Sequence, residues 1–274
     1  DATQPDLIIT VDNGISSIAG VAKAREYGID VLVTDHHLPG DCLPADCIIV
    51  NPNQTGDEFA SKNMAGVGVI FYVMLALRAA LKKKDWFSKR QIPCPNMAEY
   101  LDLVALGTVA DVVPLGQNNR ILVHHGLERI RKGKARPGIK ALLDIAKRNH
   151  STIKASDLGY AIGPRLNAAG RLDDMSRGVK CLAENNYQQA YDLAEQLDQL
   201  NIERRALEAQ MQEEAFAEVD KLTLGEDLPF GVCVYQPSWH QGIIGLVAAR
   251  VKERLHRPTV AFAKDSETTI KGSA

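Results

Sequence analysis

DLIITVDNGISSIAGVAKAREYGIDVLVTDHH, residues 6–37, decides the architecture. DLIITVDNG (6–14) is an apolar run closed by Asp-Asn-Gly, the pattern of a buried strand and a turn. SSIAGVAKAREYG (16–28) offers a serine at a helix N-cap, apolar residues at helical spacing and Gly28 as a stop. IDVLVTDHH (29–37) is a second buried strand, and CIIVNP (47–52) a third, ended by Pro52. Strand, helix and strand at this spacing make a βαβ unit, which predicts a parallel sheet.

Working outward, helices are expected near 64–83, 97–109, 119–131, 138–148 and 175–184. From Asn186 to about Leu222 there is no Gly or Pro, and Leu193, Leu197, Leu200, Leu207 and Met211 form a thin apolar stripe. That is a long connecting helix. FGVCVYQ (230–236), a helix from Gly242 to Leu255 and PTVAFAK (258–264) begin a second α/β body near residue 226. The fold class is therefore α/β, with a parallel-sheet domain carrying a helical portion, a long helix and a smaller α/β domain.

The 274 residues are 45% hydrophobic and 24% charged, enough apolar material for a core. No apolar stretch is long enough to cross a bilayer, and DATQPDL lacks the basic start and apolar run of a signal peptide. Five cysteines without a CxxC pair fit neither a disulfide framework nor a zinc knuckle, and they fit a reducing cytoplasm. The net charge of -2 leaves a polyanionic partner open, because binding depends on where positive charge clusters. RIRKGKARPGIK (129–140) is one cluster, read as a solvated helix end and loop.

Ligands of parallel α/β sheets bind beyond the carboxyl ends of the strands. Asp12 ends the first strand; Asp35, His36 and His37 end the second. Carboxylate oxygens with an imidazole nitrogen suit Mn²⁺ or Mg²⁺, and a pair of such ions makes a phosphoester-cleaving centre. Either residue alone is equally a turn former or a capped loop residue. Their joint position at two neighbouring strand ends is what favours a site.

Asp111 adds a third acid, inside the apolar run LDLVALGTVADVVPLG (101–116), where a buried carboxylate needs a salt bridge, hydrogen bonds or a metal. Asp102 is expected to face water. GPRLNAAGRL (163–172) shows no amphipathic period; Arg165 and Arg171 around Asn167 could form a fork of donors for phosphate, or a plain surface loop. SWHQGIIGLVAAR (238–250) places Trp239 and His240 before a Gly-rich helix start, either an anion site with stacking groups or close helix–sheet packing.

Together VDNG (11–14), TDHH (34–37), GTVADVVPL (107–115), GPRLNAAGRL (163–172), SWHQGIIGLVAAR (238–250) and KGSA (271–274) resemble the DHH phosphoesterase superfamily, and within it the RecJ-type single-stranded-DNA exonucleases. The resemblance covers essentially the whole chain. It implies a DHH domain over 1–186, a connecting helix over 187–224 and a DHHA1 domain over 225–274. It implies 5′-to-3′ hydrolysis of single-stranded DNA to mononucleotides with two Mn²⁺ or Mg²⁺ ions, in repair and recombination.

By position in these motifs, Asp12, His36 and Asp111 resemble metal ligands, and His37 a support for the site or a contact to the scissile phosphate. Asp35 resembles an orienting group. Arg165, Asn167 and Arg171 resemble phosphate donors; Trp239, His240 and Ser273 resemble contacts to the strand and its 5′ end. A cytoplasmic monomer working with a helicase and a single-strand-binding protein is the implied setting. The family's Asp-x-Asp strand is expected upstream of VDNG and an arginine and serine beyond GSA, so these 274 residues alone are expected to be nearly inactive. The alternatives are a DHH phosphodiesterase acting on short oligonucleotides or cyclic dinucleotides, and a non-catalytic single-strand binding module.

Overall fold

The computed structural model describes residues 3–222 and 229–274. Contact density divides the chain into two units, Asp1–Gly163 and Pro164–Ala274. The expected junction at 224–225 lies outside the described residues.

In the first unit, β1 (Leu7–Val11), β2 (Asp30–Thr34) and β3 (Ile48–Val50) form a parallel sheet in that order, with α1 (Ile18–Glu26) as the crossover from β1 to β2. Val31 and Val33 of β2 are buried against Val21 and Ala24 of α1. Each such valine burial contributes ~1.5–3 kcal/mol, and Val33→Asp, which would bury an unpaired charge in place of a fully buried side chain, would disrupt this layer. β1 departs from the expectation of a buried strand: Leu7, Ile8, Ile9 and Val11 are exposed. Among the described residues β1 pairs only with β2, so its apolar composition yields a strand without yielding full cover.

The rest of this unit is helical: α2 (Gly66–Lys83), α3 (Trp86–Lys89), α4 (Leu101–Ala110), α5 (Gln117–Arg131), α6 (Pro137–Ile145) and α7 (Ala155–Asp157), which runs into a π-helical turn, Leu158–Ile162. Met64, Val69, Phe71, Met97, Val104 and Leu122 form a core where the 64–75 segment, the 97–104 segment and α5 meet. Glycines set the closest approaches. A β-carbon on Gly107 would lie 2.7 Å from Val67 Cγ1, so α2 and α4 pack almost backbone to side chain there.

Two expectations about acids reverse. Asp102, expected to face water, is fully buried; its Oδ2 accepts the Arg136 N–H at 2.8 Å and lies 3.7 Å from Arg129 Nε. It ties α4 to the start of α6. Asp111, expected inside the apolar run, is exposed, because α4 ends one residue earlier and Asp111 caps it at the rim.

In the second unit, α8 (Gly163–Leu172), α9 (Ser176–Ala183) and α10 (Tyr187–Leu222) precede a sheet in which β4 (Val232–Gln236) pairs parallel with β5 (Thr259–Lys264), and β5 pairs antiparallel with β6 (Ile270–Ser273). α11 (Ile244–Leu255) buries Val247, Ala248 and Val251 in a core with Val232, Val234, Ala261 and Ala263. GPRLNAAGRL, read as irregular, is the helix α8, with Pro164 in the first turn where its missing N–H is harmless. In α10 the buried positions are Ala190, Ala194, Leu197 and Asn201 at one end and Met211, Ala215 and Val219 at the other. No helix among the described residues is long and apolar enough to cross a membrane.

Candidate metal centre

The parallel register Val11↔Thr34 places Asp12 level with Asp35, one residue beyond each strand. Backbone bonds continue past the strand ends: Asp12 N–H donates to Thr34 C=O at 3.0 Å, and Asp35 N–H to Val50 C=O at 3.1 Å. The turn after β1 is left-handed at Asp12 (φ +64°) and again at Gly14 (φ +114°), where a β-carbon would lie 2.7 Å from Thr10 Oγ1. Asp tolerates that region better than most residues. The turn thereby swings the Asp12 carboxylate over the sheet rim.

The third strand end, Asn51 and Asn53, fixes the histidines: Asn51 Nδ2 donates to His37 C=O at 2.9 Å and Asn53 Nδ2 to His36 C=O at 2.6 Å. Asp35 is buried and accepts four donors. Its Oδ2 takes Ile15 N–H at 2.9 Å; its Oδ1 takes His36 N–H at 2.7 Å, His37 N–H at 3.2 Å and His37 Nδ1 at 2.7 Å. Burial alone raises a carboxyl pKa, but the Ile15 N–H, the His37 ring and the two histidine N–H groups together hold Asp35 below the usual carboxylate range. Asp35 is thus an ionised anchor. Because a carboxylate only accepts, His37 Nδ1 carries the proton and its Nε2 is left for other work. The bond to Asp35 raises the His37 pKa, against a downward push from burial.

Asp111 reaches the same place through α2 and α4. Gly66, first residue of α2, abuts Asp12: a β-carbon there would lie 2.7 Å from Asp12 Cγ. Val67 fits against Gly107, and Asp111 follows one turn later with its N–H bonded to Gly107 C=O at 3.0 Å. Asn119, buried on α5, donates to Pro114 C=O at 2.9 Å and Asn63 C=O at 2.6 Å, pinning the loop after Asp111 to the segment before α2.

The result is a convergence of three side chains. His36 Nε2 lies 3.0 Å from Asp12 Oδ1 and 3.4 Å from Asp111 Oδ2. That nitrogen is buried yet hydrogen-bonds to neither. Ligand atoms of Asp12, His36 and His37 all lie within 4.8 Å of one another. Although Asp111 sits at the exposed rim, partial burial of its carboxylate against the centre raises its pKa and the Asp12 charge adds to this, while the imidazoles of His36 and His37 oppose it. Crowded carboxylates around an orphaned imidazole nitrogen fit a divalent cation, which neutralises the repulsion and supplies the missing partner.

The remaining site candidates belong to the second unit. Arg165 Nε lies 2.8 Å from Asp198 Oδ1 of α10, Asn167 is exposed on α8, and Arg171 donates from a terminal nitrogen to Gly242 C=O at 3.1 Å. His240 Nδ1 accepts the Gly242 N–H at 3.1 Å, and a β-carbon on Gly245 would lie 2.8 Å from Ser273 Oγ. Arg171, His240 and Ser273 therefore gather about the start of α11. Trp239 does not offer an open face for a base: it is 4% exposed, and its indole N–H donates to Glu214 Oε2 at 2.7 Å. Sequence reading missed Ile15, Asn51, Asn53, Gly66 and Asn119. The two asparagines after CIIV stood in a strand-end position, the one signal that pointed to them.

Residues 2–108 match the model of the DHH family, N-terminal domain. The single-stranded-DNA-specific exonuclease RecJ of Salmonella typhimurium is 60% identical over 268 residues, 97% of this chain and 46% of that protein. RecJ of Bacillus subtilis is 37% identical over 98% of this chain and 32% of its own length. The chain thus spans less than half the length of these relatives. A crystal structure of exonuclease RecJ bound to manganese superposes with a TM-score of 0.77 at 32% identity, covering 94% of this chain and 60% of that one. RecJ from Thermus thermophilus in complex with Mn²⁺ gives 0.76 at 32% identity over 94% of this chain and 36% of its own. The match thus gives residues 2–108 the character of a DHH-type N-terminal domain, and along nearly its whole length the chain is similar to the RecJ exonucleases.

Proposed function

We propose that this chain carries the cleavage centre of a metal-dependent exonuclease that hydrolyses single-stranded DNA from the 5′ end to mononucleotides, in the cytoplasm, during repair and recombination. The observation that carries the reading is the unpartnered His36 Nε2 between the Asp12 and Asp111 carboxylates. It is supported by similarity to relatives named as single-stranded-DNA-specific exonucleases and to structures solved with Mn²⁺ or Mg²⁺. On this reading a DHH domain spans 1–186, a connecting helix 187–224 and a DHHA1 domain 225–274.

Asp12, His36 and Asp111 would hold Mn²⁺ or Mg²⁺. The bound cation supplies Lewis acidity toward a phosphate oxygen and a more acidic water. Asp35 fixes the His37 tautomer, so that His37 Nε2, when protonated, would donate to a phosphate oxygen. Arg165, Asn167 and Arg171 would carry further phosphate contacts, with His240 and Ser273 near the 5′ end. Asp198 keeps the Arg165 guanidinium oriented. Affinity for the strand should fall with salt, since phosphate contacts release counterions.

The test is digestion of 5′-labelled single-stranded and duplex DNA with Mn²⁺, wild type beside Asp12→Asn and His36→Ala. The expected result is mononucleotide release from the single strand alone, slow for these 274 residues by themselves and abolished in both variants. Preference for two-residue substrates would redirect the reading to a short-oligonucleotide phosphodiesterase. Metal-independent binding without cleavage would make the chain a binding module.

A further inference from the structure

Val112, next to Asp111, has φ +60° and is 85% exposed. The left-handed region is disfavoured for L residues and most so for a β-branched one, whose side chain crowds the following carbonyl. A lone exposed valine on relaxed backbone needs no explanation. Here the backbone carries strain while the side chain buries nothing to offset it. Strain of this kind persists where the surroundings over-determine it, and the Asp111 N–H bond to Gly107 and the Asn119 clamp on Pro114 do so here.

A second exposed apolar group stands on the element packed along the same end of α4. Tyr160 is 87% exposed in the π-helical turn Leu158–Ile162. π-turns recur at functional sites because they rotate one side chain out of the helical register. The turn lies against the residues that lead into Asp111: a β-carbon on Gly159 would lie 3.3 Å from Val109 Cγ1, and one on Gly163 3.5 Å from Ala110 Cβ.

We infer that Val112 and Tyr160 are apolar contacts for the nucleosides flanking the scissile phosphate, Val112 against sugar or base and Tyr160 as a stacking surface. The inference rests on the nuclease reading and deepens it: phosphates are held by charge, while these two residues grip what lies between the phosphates. Such gripping tolerates any base, because every base has an apolar face.

The experiment compares KM and kcat on a base-bearing DNA strand and on a strand of abasic residues, with Mn²⁺. Val112→Gly and Val112→Asn both suit the left-handed backbone and remove the apolar branch; Tyr160→Ser removes the ring and Tyr160→Phe restores it. Each removal is expected to raise KM on the base-bearing strand by about fivefold or more relative to the abasic strand, with kcat moved less. Val112→Gly should not lower the melting temperature, which separates contact from stability. An unchanged KM ratio in both Val112→Gly and Tyr160→Ser, with the wild type cleaving normally, would overturn this inference and leave the nuclease reading standing. A wild type that neither cleaves nor binds the base-bearing strand would overturn both.

Discussion

Asp35 Oδ2 accepts the backbone N–H of Ile15 at 2.9 Å, a bond that joins the second strand end to the turn after the first. Together with the His36 and His37 N–H bonds it makes one buried carboxylate the keystone of two loops. Asp35→Asn replaces half of that acceptor with an N–H₂ group facing donors, which should cost ~2–3 kcal/mol. The pH dependence follows from the lowered Asp35 pKa. The carboxylate contributes its stability above the ordinary carboxyl pKa and loses it as pH falls through the lower folded value. The melting-temperature gap between wild type and Asp35→Asn should be widest around pH 5 to 6, narrow as pH rises through the raised His37 pKa, and close below about pH 4. A gap that persists at low pH would contradict the ionised-anchor account.

Gly66 is expected to be as sensitive as any charged residue of the centre. An added methyl would lie 2.7 Å from Asp12 Cγ and must displace the carboxylate. Gly66→Ala should improve helix propensity by up to ~1 kcal/mol yet weaken Mn²⁺ binding by about tenfold or more. Calorimetric titration reads the second effect directly. Unaltered affinity would show that Asp12 is not held where the geometry puts it.

His36→Ala and Asp12→Asn remove the two groups 3.0 Å apart at the heart of the cluster. Loss of a mere supporting partner costs a metal site about 10–100-fold, so loss of a ligand should cost at least that. Binding of Mn²⁺ with wild-type affinity by His36→Ala would remove the metal assignment.

The five cysteines divide by burial, with Cys47 half-buried between the extremes. Cys42, Cys94 and Cys233 are exposed, whereas Cys181 is buried, bonded to Ala190 C=O, with burial pushing its thiol up to about 11. A thiol reagent at pH 8 should modify the exposed three quickly and Cys181 only after unfolding. Rapid native-state labelling of Cys181 would mean that α9 opens readily from α10.

The βαβ start, the long helix and the second α/β body were legible because each depends on local periodicity: apolar runs in 6–11 and 29–34, and a gap-free stretch from 186. The rim position of Asp12 and His36 followed from the topology of a parallel sheet. What stayed hidden depends on a neighbour far along the chain. Asp102 and Asp111 exchanged burial because a helix end one residue before Asp111, and Arg129 and Arg136 from elsewhere, decide which acid faces water. Gly66 looked like any helix-start glycine until Asp12 stood against it. Trp239 read as a stacking group because its partner, Glu214, lies far along the chain in α10.

Both corners that flank His36 use a rare peptide shape, at Asp12 itself and at the residue after Asp111. The main chain that carries the two acids is therefore constrained at both corners. On the proposed metal reading, ions of different radius would meet corners with little room to adjust, and discrimination among them would reside in the loops. Lengthening Asp12 to Glu should accordingly change which ion is favoured, a swap of preference that a slack, side-chain-built cage would not display.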